Sequence, residues 1–351
     1  MHQQNTMENN EMPQLKALSL GSYCNKVQSL RLFPAIKTSV RRPRWPRMDS
    51  TTRRTDKIIV IMGATGTGKS RLSVELATRF SGEIINSDKM QVYKGLDITT
   101  NKIPMHERLN VPHHLLGEFD SSDGELSPLE YRLIAGHTVE TISSRRRVPI
   151  IAGGSNSFIH ALLADRFDPE SDVFDGFHSI SGELRYKCCF LWVDLSPAVL
   201  SEYLSRRVDD MIQSGMIDEL AEFFDPDADS DSVTHRTGIR KAIGVPEFDH
   251  YFRSYPPGPG GMIDAHLEGD LTRRLLFEEA VKAIKDNTCQ LVKRQIGKIL
   301  RLKSAGWDLQ RLDATEAFRA VLASNSGRSS EIWEKEMVEP SVEVVKRFLE
   351  E

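Results

Sequence analysis

The stretch GATGTGKS, residues 63–70, meets every fixed position of the pattern G-x-x-x-x-G-K-[ST]. Gly63, Gly68, Lys69 and Ser70 are those fixed positions; Ala64, Thr65, Gly66 and Thr67 fill the turn between them. In such a loop, backbone N–H groups and a helix N-terminus point at an anion. Lys69 then supplies a point charge to the outer phosphates, and Ser70 supplies a hydroxyl for a Mg²⁺ ion. The motif does not say which phosphates it holds: a nucleotide triphosphate that is cleaved, or a diphosphate that departs. A second group stands eighteen residues on, counting from Ser70 to Asp88. Asp88 closes a short apolar segment, GEIINSD, and a carboxylate there can accept a hydrogen bond or a proton from a bound nucleophile. Read alone, a strand-end aspartate is a turn or N-cap residue sooner than a catalytic one.

These side chains need elements to position them. KIIVIM reads as a buried strand, and the residues after the glycine turn present Leu72, Leu76, Ala77 and Phe80 on one helical side. Strand, glycine turn and helix are the setting a phosphate loop requires. GEIIN, VPIIAGG and CCFLWVD supply three further strands, and Ser196-Pro197 marks a helix start after the last. Strands alternating with helices imply an α/β protein with a doubly wound parallel sheet of the P-loop NTPase-like kind. Ligands of such sheets bind at the carboxyl ends of the strands, where Asp88 falls.

Beyond residue 211 the pattern changes. DPDADSDSV is acidic and loop-like, SYPPGPGGM is a Pro/Gly linker, and helical stretches lie between and after them. The division expected is a P-loop core over 56–211, a smaller inserted helical domain over 212–284, and a C-terminal helical part over 285–351 that returns to the core. Residues 1–55 form a basic leader: from Met12 to Met48 there is no Asp or Glu, while Lys16, Lys26, Arg31, Lys37, Arg41, Arg42, Arg44 and Arg47 alternate with Ser and Pro. That is the composition of an organellar transit peptide, or of a basic tail.

The remaining numbers narrow the classes. The 351 residues, 39% of them hydrophobic, suffice for a large core. No apolar run approaches the roughly 18 residues of a membrane helix. A net charge of −4 gives no overall field for capturing nucleic acid. Cys24, Cys188, Cys189 and Cys289 have neither metal-ligand spacing nor the density of a disulfide scaffold. His113-His114 is tempting as a ligand pair, but adjacent residues do not share a strand or helix face. Asp194, at the end of FLWVD, is either a Mg²⁺ carboxylate or an ordinary strand-end aspartate. Arg145 to Arg147 read as a solvated helix end.

Taken in order, GATGTGKS, NSDKMQVYKGLDITTNK, VPHHLL, IIAGGSNSFIHALL, RRVDDMIQSGMIDEL and IRKAIGVPEF resemble the dimethylallyl (isopentenyl) transferases that act on adenine. The resemblance covers roughly residues 57 to 300. It implies that the loop holds the diphosphate of dimethylallyl diphosphate, with Mg²⁺, and that Asp88 orients and deprotonates the exocyclic amine of adenine. Lys69 and Thr65 act on the diphosphate, joined by Arg207. Ser87, Thr100, Lys241, Arg294 and Lys298 are candidates for the nucleotide, each basic residue being equally well explained by a solvated helix face.

The family divides by acceptor, tRNA or free adenine nucleotide. AGGSNSFIHALL differs from the GGTGLY-like run of the tRNA enzymes, no Cys/His zinc-finger spacing occurs, and no basic patch suited to tRNA stands out. The resemblance is therefore to the adenylate branch, whose partners are dimethylallyl diphosphate and ATP, ADP or AMP, with neither nucleic acid nor membrane; the sequence leaves the oligomeric state open, a monomer being compatible with it. The leader agrees with a plastid, the cytoplasm being the alternative. Rival readings are a tRNA dimethylallyltransferase, a P-loop metabolite or nucleotide kinase, and a nucleotide-binding regulatory domain that leaves Asp88 idle.

Overall fold

The hydrophobic run at Lys57–Met62 forms β1, and every residue in it after Lys57 is buried. A strand buried on both faces reads as continuous apolar sequence because helices cover both sides of a parallel sheet. A computed structural model describes residues 56–175, 180–227, 236–258 and 270–351. The basic leader lies outside the described residues, as do most of the acidic loop and the latter part of the Pro/Gly linker.

Helix α1 (Lys69–Arg79) follows the glycine loop, then β2 (Gly82–Asn86), β3 (His113–His114), α2 (Pro128–Ser144), β4 (Val148–Gly153), α3 (Asn156–Leu163) and β5 (Lys187–Asp194). Next come α4 (Pro197–Gln213), α5 (Met216–Phe223), α6 (Val245–Ser254) and α7 (Leu271–Ser304). The chain closes with β6 (Leu309–Asp313), α8 (Thr315–Leu322), α9 (Ser326–Trp333) and α10 (Glu339–Glu350). The sheet is wholly parallel, in the order β3-β2-β4-β1-β5-β6. Odd and even residues of β1 serve two cores. Ile58, Val60 and Met62 pack towards α2, α3, α6 and α7; Ile59 and Ile61 pack towards α1, α4 and the C-terminal helices.

The fold class is the one expected, with two strands more than the four read from sequence. The strand β3 is two residues long and β6 only five, too short for a periodic signal. The helix start at Ser196-Pro197 is present, with the Ser196 hydroxyl accepting from the Val199 N–H. A Ser127–Glu130 capping box, unread in the sequence, opens α2. α7 runs unbroken for 34 residues, through position 284 where the sequence division falls. The described residues belong to one compact unit.

β2, β4 and β1 are neighbours, so the turns that follow them sit side by side at one edge of the sheet. That adjacency brings Asp88, Gly153-Gly154 and the glycine loop together.

Candidate active site

The loop begins where β1 ends, and its last glycine, Gly68, is the N-cap of α1 with φ 90°. A side chain there would be strained, and its Cβ would stand 2.6 Å from the Trp333 ring. The Ala64 carbonyl anchors the loop from within, accepting from Lys69 Nζ at 2.6 Å and from the Thr67 hydroxyl at 3.0 Å. Burial pushes the Lys69 ammonium down to about 8, with Asp88 opposing that shift and Arg207 adding to it. The first N–H groups of a helix have no intrahelical acceptor, and Gly68, Lys69 and Ser70 open onto a cavity of ≈ 370 Å³.

Asp88 is held by its own turn. Its Oδ1 accepts from the N–H of Met90 at 2.9 Å and of Gln91 at 3.3 Å, and its N–H donates to Asn86 Oδ1 at 3.2 Å. This is the Asx turn that a strand-end aspartate is prone to form, and it leaves Oδ2 on the Gly154 side. Asn86 Nδ2 also donates to the Leu115 carbonyl at 2.9 Å, so the strand end is braced from β3.

A second cavity, of ≈ 460 Å³, adjoins the first. Thr65, Asp88, Asn101, Gly154 and Arg207 line both, and so form the junction. The first cavity is polar, with Lys69, Ser70, Lys102 and His113 in its wall. The second is mixed: Val208, Met211, Met216, Ile243, Ile284 and Leu291 give it an apolar lining, and cations stand among them. At the junction Arg207 Nη2 donates to the Thr65 hydroxyl at 3.2 Å, while Arg207 Nε is buried without a protein acceptor. A buried guanidinium N–H with no partner calls for an anion or water beside it.

The sequence candidates fall into four groups. Thr65, Asp88 and Arg207 meet at the junction. Gly66, Gly68, Lys69 and Ser70 line the polar cavity, whereas Gly63, Ala64 and Thr67 line neither and shape the loop from behind. Thr100, Lys241, Arg294 and Lys298 line the mixed cavity. Lys241 is already paired with Glu125 at 2.5 Å, and Lys298 reaches Ser157 at 3.4 Å and covers the Phe174 ring at 4.8 Å. Ser87 is wholly buried and lines neither cavity: its N–H donates to the Ala152 carbonyl, its carbonyl accepts from the Ser155 N–H, and its side chain lies beside the buried Tyr131. Asp194 lines neither cavity and accepts from Arg311 at 2.8 Å. Arg145 to Arg147 are exposed at the end of α2. His113 and His114 separate as a strand demands, His114 to Glu83 at 2.7 Å and His113 to the Val111 carbonyl at 2.8 Å. Among the described residues no group of three His, Cys, Asp or Glu is placed to hold a metal.

The sequence reading missed Gln295, Asn101, Lys102 and the cavity face of His113. Gln295 had one usable signal. The buried stripe of α7 runs Ala280, Ile284, Thr288, Val292, Gln295, Ile299, Leu302, and a polar residue on such a stripe needs partners.

Fold and site together define a phosphate-loop α/β protein in which an anion cradle opens, beside a carboxylate and a guanidinium, into a chamber for a second ligand. Comparison with known proteins narrows this further. A family model described as IPP transferase matches residues 91–180 and 168–297, and the chain belongs to the IPP transferase family. An adenylate isopentenyltransferase of Humulus lupulus is 63% identical over 299 residues, covering 83% of this chain and 90% of that protein. Adenylate isopentenyltransferase 1, chloroplastic, of Arabidopsis thaliana is 55% identical over 84% of this chain and 82% of its own. Adenylate isopentenyltransferase 7, mitochondrial, of the same plant is 44% identical over 84% and 80%. Among solved structures, a eukaryotic dimethylallyltransferase acting on tRNA superposes with a TM-score of 0.65 at 25% identity, over 84% of this chain and 80% of that one.

Proposed function

We propose that this protein transfers the dimethylallyl group of dimethylallyl diphosphate to the exocyclic amine of a free adenine nucleotide; its sequence relatives are named adenylate isopentenyltransferases. The observation that carries this reading is the junction: Asp88, Thr65 and Arg207 border both an anion cradle and a chamber with an apolar lining. An allylic diphosphate needs the first, an adenine ring needs the second, and the reacting atoms must meet between them.

The diphosphate lies against the N–H groups of the loop, Lys69 and Arg207. As the allylic C–O bond breaks, its electron pair leaves with the diphosphate, and these groups face the charge that grows there. The orphaned Arg207 Nε supports an anion at this place. Thr65 Oγ1 accepts from Arg207, so its own O–H is free to donate to a diphosphate oxygen. The amine nitrogen forms the new C–N bond, and Asp88 Oδ2 takes the proton it sheds. The amine of adenine is a poor base, but its protons become acidic as it attacks carbon. A carboxylate can then accept one of them. Holding both substrates in line supplies much of the acceleration.

The donor set fits Mg²⁺ carried by the diphosphate: Ser70 offers one hydroxyl in the polar cavity, and Mg²⁺ keeps waters and phosphate oxygens for its other positions. Bound there, it would neutralise leaving-group charge. Arg294 and Lys298, with Lys241 if Glu125 releases it, would meet the nucleotide's phosphates from the wall of the mixed cavity.

The deciding assay incubates the protein with Mg²⁺, labelled dimethylallyl diphosphate, and ATP, ADP, AMP or tRNA. Prenylated free nucleotide is the expected result. Label in tRNA alone would move the acceptor to a polynucleotide, and phosphoryl transfer without prenyl product would make the protein a kinase. We place the protein in plastids, following the basic leader and the chloroplastic labels of several relatives. A fluorescent fusion of residues 1–55 that stays in the cytosol overturns that location without touching the chemistry.

A further inference from the structure

Gln295 is the buried polar residue through which α7 reaches both sides of the junction, and the reaction described above gives it no role. Its Oε1 accepts from the Thr65 N–H at 2.8 Å, and its Nε2 donates to the Gly154 carbonyl at 3.0 Å. Its own backbone carbonyl accepts from Asn156 Nδ2 at 3.2 Å, which fixes this turn of α7 against the start of α3. The side chain is 7% exposed and lines the mixed cavity. Gly154 is fitted to it: a Cβ on Gly154 would stand 2.4 Å from Gln295 Nε2 and 3.7 Å from Asp88 Oδ2.

We infer that Gln295 is a positioning residue that sets the distance between the donor cradle and Asp88. One amide ties Thr65, on the loop that receives the leaving diphosphate, to Gly154, the residue beside the carboxylate oxygen that receives the proton. An amide suits this post because it both donates and accepts, and glutamate or an aliphatic residue can satisfy only one partner or neither. The bond to Thr65 also withdraws that N–H from the anion-binding set, which leaves the diphosphate to the following N–H groups of the loop. Gln295 touches neither the breaking C–O bond nor the new C–N bond; it acts through the two loops. The inference rests on the assignment of the loop to the donor diphosphate.

Misalignment has a readout that loss of folding does not produce. When the amine is out of line, water attacks the same allylic carbon. The C–O bond still breaks, its electron pair leaves on diphosphate, water gives up a proton, and the prenyl alcohol appears in place of prenylated nucleotide. The experiment therefore measures alcohol and prenylated nucleotide from the same labelled donor, in the wild type and in Gln295→Ala, Gln295→Glu and Gly154→Ala, beside thermal unfolding of each. Gly154→Ala attacks the same contact from the other side without altering Gln295. Transfer should fall by roughly 10²-fold in Gln295→Ala, the usual cost of a misplacement near 1 Å, with donor KM changed far less. The ratio of alcohol to prenylated nucleotide should rise about tenfold or more, Gln295→Glu and Gly154→Ala behaving in the same sense. A wild-type protein that prenylates nothing would defeat the proposed function itself. If the wild type transfers normally and folded variants keep its product ratio, Gln295 is a packing residue and the inference is overturned.

Discussion

Arg207 donates from α4 to the hydroxyl of Thr65, a residue 142 positions earlier, across the opening between the two cavities. The contact joins the helix that follows β5 to the loop that follows β1. In the proposed reaction it also orients a forked cation towards the departing diphosphate. Burial lowers the guanidinium pKa, partly offset by Tyr203 and Asp88, from a value high enough that the charge persists.

Arg207→Lys should therefore retain charge and lose geometry, raising donor KM and lowering kcat. Arg207→Ala should cost roughly 10²–10³ in kcat, the usual penalty for deleting one transition-state donor. Steady-state kinetics with the donor varied at saturating nucleotide makes the comparison. Near-normal donor kinetics in Arg207→Ala would remove this residue from the site.

Lys69 gives a pH prediction. Burial brings its ammonium down to about 8 in the protein without substrate. In the proposed reaction the charged form is the one that attracts the diphosphate, and it is present below that pH and lost above it. kcat/KM for the donor should decline as pH rises through about 8, since that ratio reports ionisations of the free protein. Lys69→Arg should push the decline to higher pH while lowering the rate at neutrality, because a guanidinium stays charged. A limb that stays where it was in Lys69→Arg would assign the titration to another group.

What the sequence made legible was local. The glycine loop, its strand and its helix are contiguous, and Asp88 is betrayed by its position after an apolar run. Arg207 was reached only by resemblance, since nothing in RRVDD distinguishes it from its exposed neighbour Arg206. Gln295 stayed hidden because its partners, Thr65 and Gly154, are 230 and 141 residues away. Ser87 adjoins Asp88 in sequence but is wholly buried, with its side chain beside Tyr131, a contact 44 residues away that the sequence does not display. β6 was invisible because a five-residue edge strand in LQRLD carries too few buried positions to show a period.

Gly153 is where β4 passes against the backbone of the β2 turn. A Cβ there would lie 2.2 Å from the Ser87 carbonyl carbon and oxygen, and backbone cannot rotate away as a side chain does. Gly153→Ala should destabilise the fold by about 1–3 kcal/mol. It should also displace Asp88, so that prenyl transfer by the folded fraction drops. Urea unfolding with transfer rates at matched folded concentration tests both parts; an unchanged midpoint would mean the two turns can separate freely.

The remaining prediction concerns Asp88→Asn. Its turn pins one oxygen, Oδ1, to the N–H groups of Met90 and Gln91, so the substituted amide should keep its oxygen there. The amide NH₂ then replaces Oδ2, beside Gly154, and a donor faces the donor amine of adenine. The variant consequently loses the proton acceptor and also part of the acceptor's binding. Transfer should fall by roughly 10² to 10⁴, the span usual for a general base, while acceptor KM rises and donor KM holds. Thermal stability should change little, because both turn hydrogen bonds survive. Single-turnover transfer measured across a Mg²⁺ series separates the rival roles. A rate within a few-fold of the unaltered protein would deny the residue any part in proton transfer. Recovery with excess metal would make it a ligand of Mg²⁺ instead. A deep loss, insensitive to metal and without a loss of folding, is the result that places the reaction's proton on Oδ2.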